Sequence, residues 1–400
     1  MATIACVSRA VAVMVATTMV RRDSFVTRML EFSSVTDSLR RTLEGAHLET
    51  VEKTSAYDGS AFHGHPGVLW AFKATLRGDG TESWMGVAGV AALDLVAVWF
   101  LRELARRFTR DESKVFRVCA VYALNPIGIM GILVRSTSGV LRALLFASVV
   151  AALDGYDAAC GAAFALAVQL NPHYIALLPA MGVMCASTSS SSDRGSKFGK
   201  LMRLASGFVG ACAASAAMMG DDLGKWWKAA VEFSILSEDQ TPNLGLHWYL
   251  FTTMFDHFRS FYVVALNVIP LALSIGASMR FVSRPLLSLT LSLMIATVCM
   301  PYPTLHDPVT YGYLLSVIAA DDKGNPLSYM KFGVLIAGGF LYAALLSPLT
   351  WYMWIHTRVA NANFYYAITL VYACTQILLI NQVAGSVLAF DRHRKLQKKE

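Results

Sequence analysis

Seven cysteines, one close histidine pair and a string of N-terminal carboxylates are the side chains of this 400-residue chain that could act on a substrate directly. A cysteine nucleophile needs an accessible thiolate beside a base. Cys6, Cys119, Cys160, Cys185, Cys212, Cys299 and Cys374 all lie in apolar stretches, so none is expected to be catalytic. No C-x-x-C pair occurs, which argues against a disulfide framework and against zinc. Each thiol reads as a small hydrophobe. His63-Gly64-His65 offers two imidazoles to a metal, but no carboxylate helix or His-x-x-His-His cluster accompanies it. Gly64 and Pro66 instead predict a turn. Asp23, Glu31, Asp37, Glu44, Glu49, Glu52 and Asp58 could supply the base or metal-binding acid of a lipid-linked sugar transfer. None of them forms an Asp-x-Asp pair. No catalytic residue, metal or cofactor is therefore expected.

Binding groups are easier to find. Asn243, Asn361 and Asn363 carry amides that both donate and accept, which suits a ligand with many hydroxyls. His257 adds a further polar group, and Arg259 could meet a phosphate. The alternative is that these amides cap helices, Asn243 a helix starting near Leu244 and Asn361 or Asn363 the last one. Trp248, Tyr249, Phe255 and Phe258 fit packing or an interfacial belt. Asp94, inside an apolar run, must be paired or turned into a helix bundle. An inter-helix structural bond is the simpler account of it.

The elements that position these groups follow from composition. Apolar residues make up 55% of the chain and charged ones 15%, against about 25% charged in soluble proteins. Mean hydropathy is +0.49. Apolar windows near twenty residues recur, and about that length of helix crosses a bilayer. Helices satisfy their own backbone groups in lipid. The expected fold is all-α, a single polytopic transmembrane domain over 1–400. The net charge of +7 does not point to nucleic acid, because the basic residues cluster beside apolar segments. The clusters are Arg102 to Arg117, Arg194 to Arg203, Arg280 with Arg284, and Arg392 to Lys399. Such clusters usually face the cytoplasm.

Placing them there gives a path of about twelve spans with both termini cytoplasmic. The spans are 3–20 (read as uncleaved), 84–101, 115–134, three short ones within 138–186, then 201–219, 260–278, 286–300, 309–320, 330–350 and 363–390. Breaks are expected at Arg135-Ser136-Thr137, Gly155-Tyr156-Asp157 and Asn171-Pro172-His173. A first luminal segment fills 21–83, with an amphipathic helix over 27–45. A cytoplasmic serine-rich linker covers 187–200. A second luminal segment, 220–257, carries interfacial helices at 221–236 and ending near His257, and a basic tail follows at 391–400. Membrane contact and plain packing are both open for the two amphipathic helices. No internal repeat suggests an inverted-repeat transporter.

Five stretches carry a resemblance: YDGSAFHGHPGVLW at 57–70, YALNPIGIMGILVRST at 122–137, QLNPHYIALLPAM at 169–181, SEDQTPNLGLHWYLFTTMFDHFRSFY at 237–262 and RVANANFYYAITLVYACTQILLIN at 358–381. In that order they resemble the phosphatidylinositol-glycan class U family, the many-spanning subunit of GPI transamidase. The T-P-N-x-G-L-x-W-Y and A-N-x-N-F-x-Y-A-I-T-L stretches are its most specific signals. The serine-rich 187–196 segment and the short charged tail depart from the family pattern. The resemblance implies a multi-pass protein of the endoplasmic reticulum membrane. It would be a non-catalytic partner of a separate cysteine-protease-like subunit and of the other transamidase subunits. Asn243, His257, Arg259, Asn361 and Asn363 would then contact the GPI lipid, with the hydrophobic C-terminal attachment signal of the proprotein as the other implied ligand. It also implies a similarity to polytopic glycosyltransferase (GT-C-like) membrane domains. The alternative function is a dolichol-phosphate-mannose glycosyltransferase of the same membrane.

Overall fold

A computed structural model describes residues 2–18, 29–76, 83–188 and 196–397. The Arg21-Arg22-Asp23 junction, Arg28, Ser189 to Ser192, Arg194, Lys398 and Lys399 lie outside the described residues. The chain is all-helical. Its N-terminal part holds α1 (Ala2–Thr18), α2 (Leu39–His47), α3 (Pro66–Lys73), α4 (Trp84–Arg106), α5 (Glu112–Ala123), α6 (Pro126–Leu133), α7 (Ser138–Leu153), α8 (Asp157–Leu170) and α9 (Leu178–Ser187). The remainder holds α10 (Lys197–Met219), α11 (Leu223–Trp226), α12 (Phe233–Leu236), α13 (His247–Thr253), α14 (Asp256–Arg280), α15 (Pro285–Cys299), α16 (His306–Ala320), α17 (Gly333–Ile355) and α18 (Ala362–Gln397).

Each of the twelve expected spans coincides with helix, but the helices differ in reach. Among the described residues five are long and apolar enough to cross a membrane: Trp84–Arg106, Lys197–Leu236, Asp256–Arg280, Gly333–Ile355 and Ala362–Gln397. The pair α5–α6 makes a sixth if it counts as one span bent by 45°. Pro126 causes that bend, since it has no amide hydrogen for the helix ladder. Asn125 restarts the helix, its Oδ1 accepting from the amides of Ile127 and Gly128 at 2.9 and 3.3 Å. The chain is a multi-pass membrane protein.

The core centres on α15, where every side chain from Leu286 to Thr297 is buried. A helix apolar on all sides belongs inside a bundle. The closest helix approach joins α8 to α10. A Cβ on Gly207 would lie 1.9 Å from the Ala158 carbonyl oxygen, and one on Gly161 would lie 2.0 Å from that of Leu204. Only glycine permits backbones this near.

Charged side chains gather the turns at one end of the bundle. Arg107 pairs with Asp154 at 2.6 Å, Lys114 with Asp322 at 3.0 Å, Arg203 with Asp157 at 3.0 Å and Arg284 with Asp391 at 2.5 Å. Three of the four basic clusters singled out in the sequence thus meet acids of neighbouring elements. The long polar segments assemble at the opposite end.

Both amphipathic segments there differ from expectation. In place of one helix over 27–45, turns occupy 30–37 and α2 begins only at Leu39. The turns are pinned from outside. The Glu31 carbonyl accepts from the Leu305 amide at 2.8 Å, and the Asp37 carboxylate accepts from the Thr137 amide at 2.6 Å. Val35, Leu39 and Leu43 are buried within the protein. Residues 221–236 continue the α10 helix, and Trp226 and Ala230 pack on Ala56, Tyr57, Phe62 and Leu69 of the first polar segment. Trp226, Ala230 and Phe233 are therefore covered by this chain itself, while Leu223 and Trp227 stay exposed.

Candidate functional site

Asp94 is buried between two arginines. Arg9 donates to its Oδ2 through Nε and Nη2 at 2.9 and 2.7 Å. Arg142 Nη2 and the Tyr122 hydroxyl donate to Oδ1 at 2.9 and 2.6 Å. Exposure is 1% for Arg9 and Asp94 and 2% for Arg142, so the group locks α1, α4, α5 and α7 together away from lipid and water. The sequence marked Asp94 as a charge inside an apolar run, and Arg9 interrupts the apolar 3–20 span in the same way. Arg142 carried the same signal, a lone charge in the apolar 138–153 stretch, and was missed.

The histidine pair does not converge. His63 stacks on Phe233 at 3.6 Å and donates from Nδ1 to the Ala229 carbonyl at 2.6 Å. Burial holds its pKa down to about 4, so the ring is neutral and Nε2 is an acceptor. His65 caps α3, its Nδ1 accepting from the Gly67 amide at 3.0 Å, while Nε2 meets Gln169 at 2.9 Å. Among the described residues no group of three or more His, Cys, Asp or Glu is placed to hold a metal ion.

The five predicted binding residues surround α13. Asn243 is buried just ahead of it, its Oδ1 accepting from the Gly245 amide at 2.6 Å and its Nδ2 donating to the Thr241 carbonyl at 3.1 Å. It shapes a turn; α13 itself starts later, at His247. His257 and Arg259 follow α13. The chain is extended at Met254 and Phe255, so the break falls earlier than expected and both residues sit in the first turns of the long α14. His257 is exposed. Arg259 lies over the Phe251 ring at 5.5 Å and donates to the Ser237 carbonyl at 3.2 Å.

Asn361 stands at the start of α18, where its Oδ1 accepts from the Asn363 amide at 3.0 Å. That is an N-cap bond. Its Nδ2 has no partner among the described residues. Asn363 Oδ1 accepts from the Tyr249 hydroxyl, tying α18 to α13. Tyr249 stacks on Tyr366 at 4.2 Å, and Trp248 lies within 6.1 Å of the rings of Trp354, Tyr365 and Tyr366. The two most specific sequence stretches therefore meet in one corner. It is an aromatic floor with exposed amides at Asn361 and Asn363, a surface that can stack an apolar face and hydrogen-bond hydroxyls.

Comparison with known proteins gives a consistent result. The model of the family described as "GPI transamidase subunit PIG-U" matches residues 4–372. The chain is similar to the GPI-anchor transamidase component PIGU of Homo sapiens, 25% identical over 388 residues, covering 89% of this chain and 87% of the relative. It is 26% identical over 347 residues to the GPI transamidase component GAB1 of Saccharomyces cerevisiae, covering 86% and 83%. A GAB1 homologue of Schizosaccharomyces pombe is 24% identical over 376 residues, covering 92% and 88%.

Proposed function

The chain belongs to the PIG-U family of GPI transamidase subunits, and on that premise we propose how it serves the complex. It sits in the endoplasmic reticulum membrane and crosses it about twelve times, the shorter helices included, in an arrangement similar to polytopic glycosyltransferase membrane domains. The polar end bearing Asn361 faces the lumen and the end with the paired basic clusters faces the cytoplasm. The chain itself is non-catalytic. A cysteine-protease-like partner subunit performs the chemistry, while this subunit holds the GPI lipid or the hydrophobic attachment signal of the proprotein.

One observation carries the binding role. Two segments far apart in sequence meet where Tyr249 donates to Asn363, placing exposed amides over stacked aromatic rings. Asn361 and Asn363 would meet glycan hydroxyls, and His257 and Arg259 a phosphate at the neighbouring start of α14. Asn243 holds the turn that leads into α13. The test is a cell lacking its own copy of this subunit, with a GPI-anchored reporter read at the surface and the complex recovered in mild detergent. Asn363→Ala should leave assembly intact and lower the reporter. Full anchoring by Asn363→Ala would remove the corner from the account.

A further inference from the structure

An apolar groove of about 530 Å³ runs between α9 and α10, on the side of the bundle that carries the Arg203–Asp157 pair and away from the Asn361 corner. All ten residues that line it are apolar. Each helix contributes one face: Leu178, Gly182 and Ala186 from α9, and Leu201, Ala205 and Val209 from α10, four residues apart as a helical stripe requires. The groove persists because α10 is held elsewhere. Gly161 and Gly207 draw it onto α8, and Lys200 donates from Nζ to the Thr188 carbonyl just past α9. That bond fixes the two helix ends together at the mouth of the groove.

Shape and charge decide what fits. A stripe of nine residues is about 12 Å long at 1.5 Å per residue, and the volume falls in the range of small-ligand pockets, about 300–1,000 Å³. A docking helix is about 10 Å across and makes its close approach over small residues. Here Leu178, Leu201 and Val209 are 38, 39 and 65% exposed, and Ala205 sits between the last two along the stripe. Bulky edges around small residues make a slot for a thin, flexible hydrocarbon chain. The mouth is basic. Lys197 is exposed and stands one helical turn before Leu201, on the same face of α10. With Lys200 and Arg203 it leaves a positive surplus over Asp157, the acid that Arg203 meets at 3.0 Å. These are the first turns of α10, whose unpaired amides add to that positive character.

We infer that the groove holds one acyl chain of an anionic glycerophospholipid of the cytoplasmic leaflet, with Lys197 at its headgroup. That leaflet is the one with a negative surface potential, and the orientation proposed above turns this end of the bundle toward it. The lipid is not the anchor, and its site does not depend on the anchor-binding reading.

Photolabelling of the purified complex in phosphatidylcholine nanodiscs tests it. Trace phosphatidylserine or phosphatidylcholine, each with a diazirine in one acyl chain, is irradiated and the labelled peptides are mapped. The phosphatidylserine probe should concentrate on 178–186 and 201–209, above its level on the exposed face of α17, and the phosphatidylcholine probe should label them less. A205W fills the groove from an exposed position and should lower this label on the order of tenfold, because the chain loses buried methylenes. K197A should cut the preference for phosphatidylserine about fivefold, the share of one cation near an anionic surface. Unchanged labelling of α17 and co-purification of the other subunits confirm that the variants fold; K197A alone decides if A205W does not assemble. Label spread evenly over α10 and α17, indifference to both variants, or equal labelling by the two probes would overturn the inference. So would a groove that takes no lipid label while a photoreactive residue in place of Ala205 crosslinks another subunit, since a partner helix would then occupy it. A complex that anchors the reporter with its groove unlabelled sinks this proposal and leaves the anchor-binding reading standing.

Discussion

Asn361 is at once a helix cap and an exposed amide, and one substitution separates the two roles. Aspartate preserves the acceptor for the Asn363 amide and adds a charge that suits a helix N-terminus. It removes the Nδ2 donor and repels phosphate. Asn361→Asp is therefore expected to assemble normally while surface reporter falls, with about 1–3 kcal/mol lost where a ligand acceptor goes unmatched. Asn361→Lys should be worse, because it also deletes the cap and puts a cation at the positive helix end. Full reporter at matched protein level with Asn361→Asp would reduce the residue to a cap. Asp94 is a different case. With both guanidiniums on it in a buried site, Asp94→Asn should cost about 3–5 kcal/mol of stability through uncompensated charge. A large fall in the detergent melting temperature is the expected readout; an unchanged one would show that the cluster holds nothing together. The sequence signalled that Asp94 needed partners but not which, since an Arg–Asp–Arg contact between residues 9, 94 and 142 depends on how four helices pack. Asp37 was visible only as one acid among several. Its setting comes from Ser136 and Thr137, a hundred residues on.

At the level of elements, apolar run length predicted where helices lie and misjudged where irregular chain lies. Asparagine and proline marked the break after α8 at Asn171-Pro172 correctly, while the same pair at Asn125-Pro126 lay inside the expected 115–134 span and was passed over. The helical spacing of Val35 and Leu39 was real, but hydrogen bonds from Thr137 and Leu305 hold 30–37 as turns, and long-range bonds of that kind leave no periodic signal. The glycines of α8 and α10 were silent in the sequence because a lone glycine in an apolar run has no distinctive pattern. Gly207→Leu should force the two helices apart, costing about 1–3 kcal/mol for overpacking or more, read as a lower melting temperature and lower steady-state level. Wild-type behaviour would contradict the backbone contact at Ala158. Sidedness is testable on the same elements. Glycosylation sites engineered into 45–55 and 225–240 should be modified, and sites in 187–196 or beyond 392 should not. Modification of the serine-rich stretch would overturn the proposed orientation of the helices.

For the molecule as a whole, the account is of a membrane subunit that binds and leaves catalysis to a partner. The cysteines bear on this directly. Cys119, Cys160 and Cys185 are buried, and Cys6 and Cys374, although exposed, lie on the apolar helices α1 and α18. A version with all seven replaced by Ala or Ser is expected to support anchoring largely as before, and a single cysteine whose loss abolishes anchoring at unchanged protein level would contradict that. The most direct measurement joins assembly to output. The chain is expressed in cells that lack their own copy of this subunit, affinity-purified in mild detergent, and its companions are identified while a GPI-anchored reporter is counted at the surface. The account predicts that a cysteine-protease-like subunit co-purifies and that surface reporter returns. A chain that restores neither, or that purifies alone and transfers mannose from a dolichol donor, would contradict it.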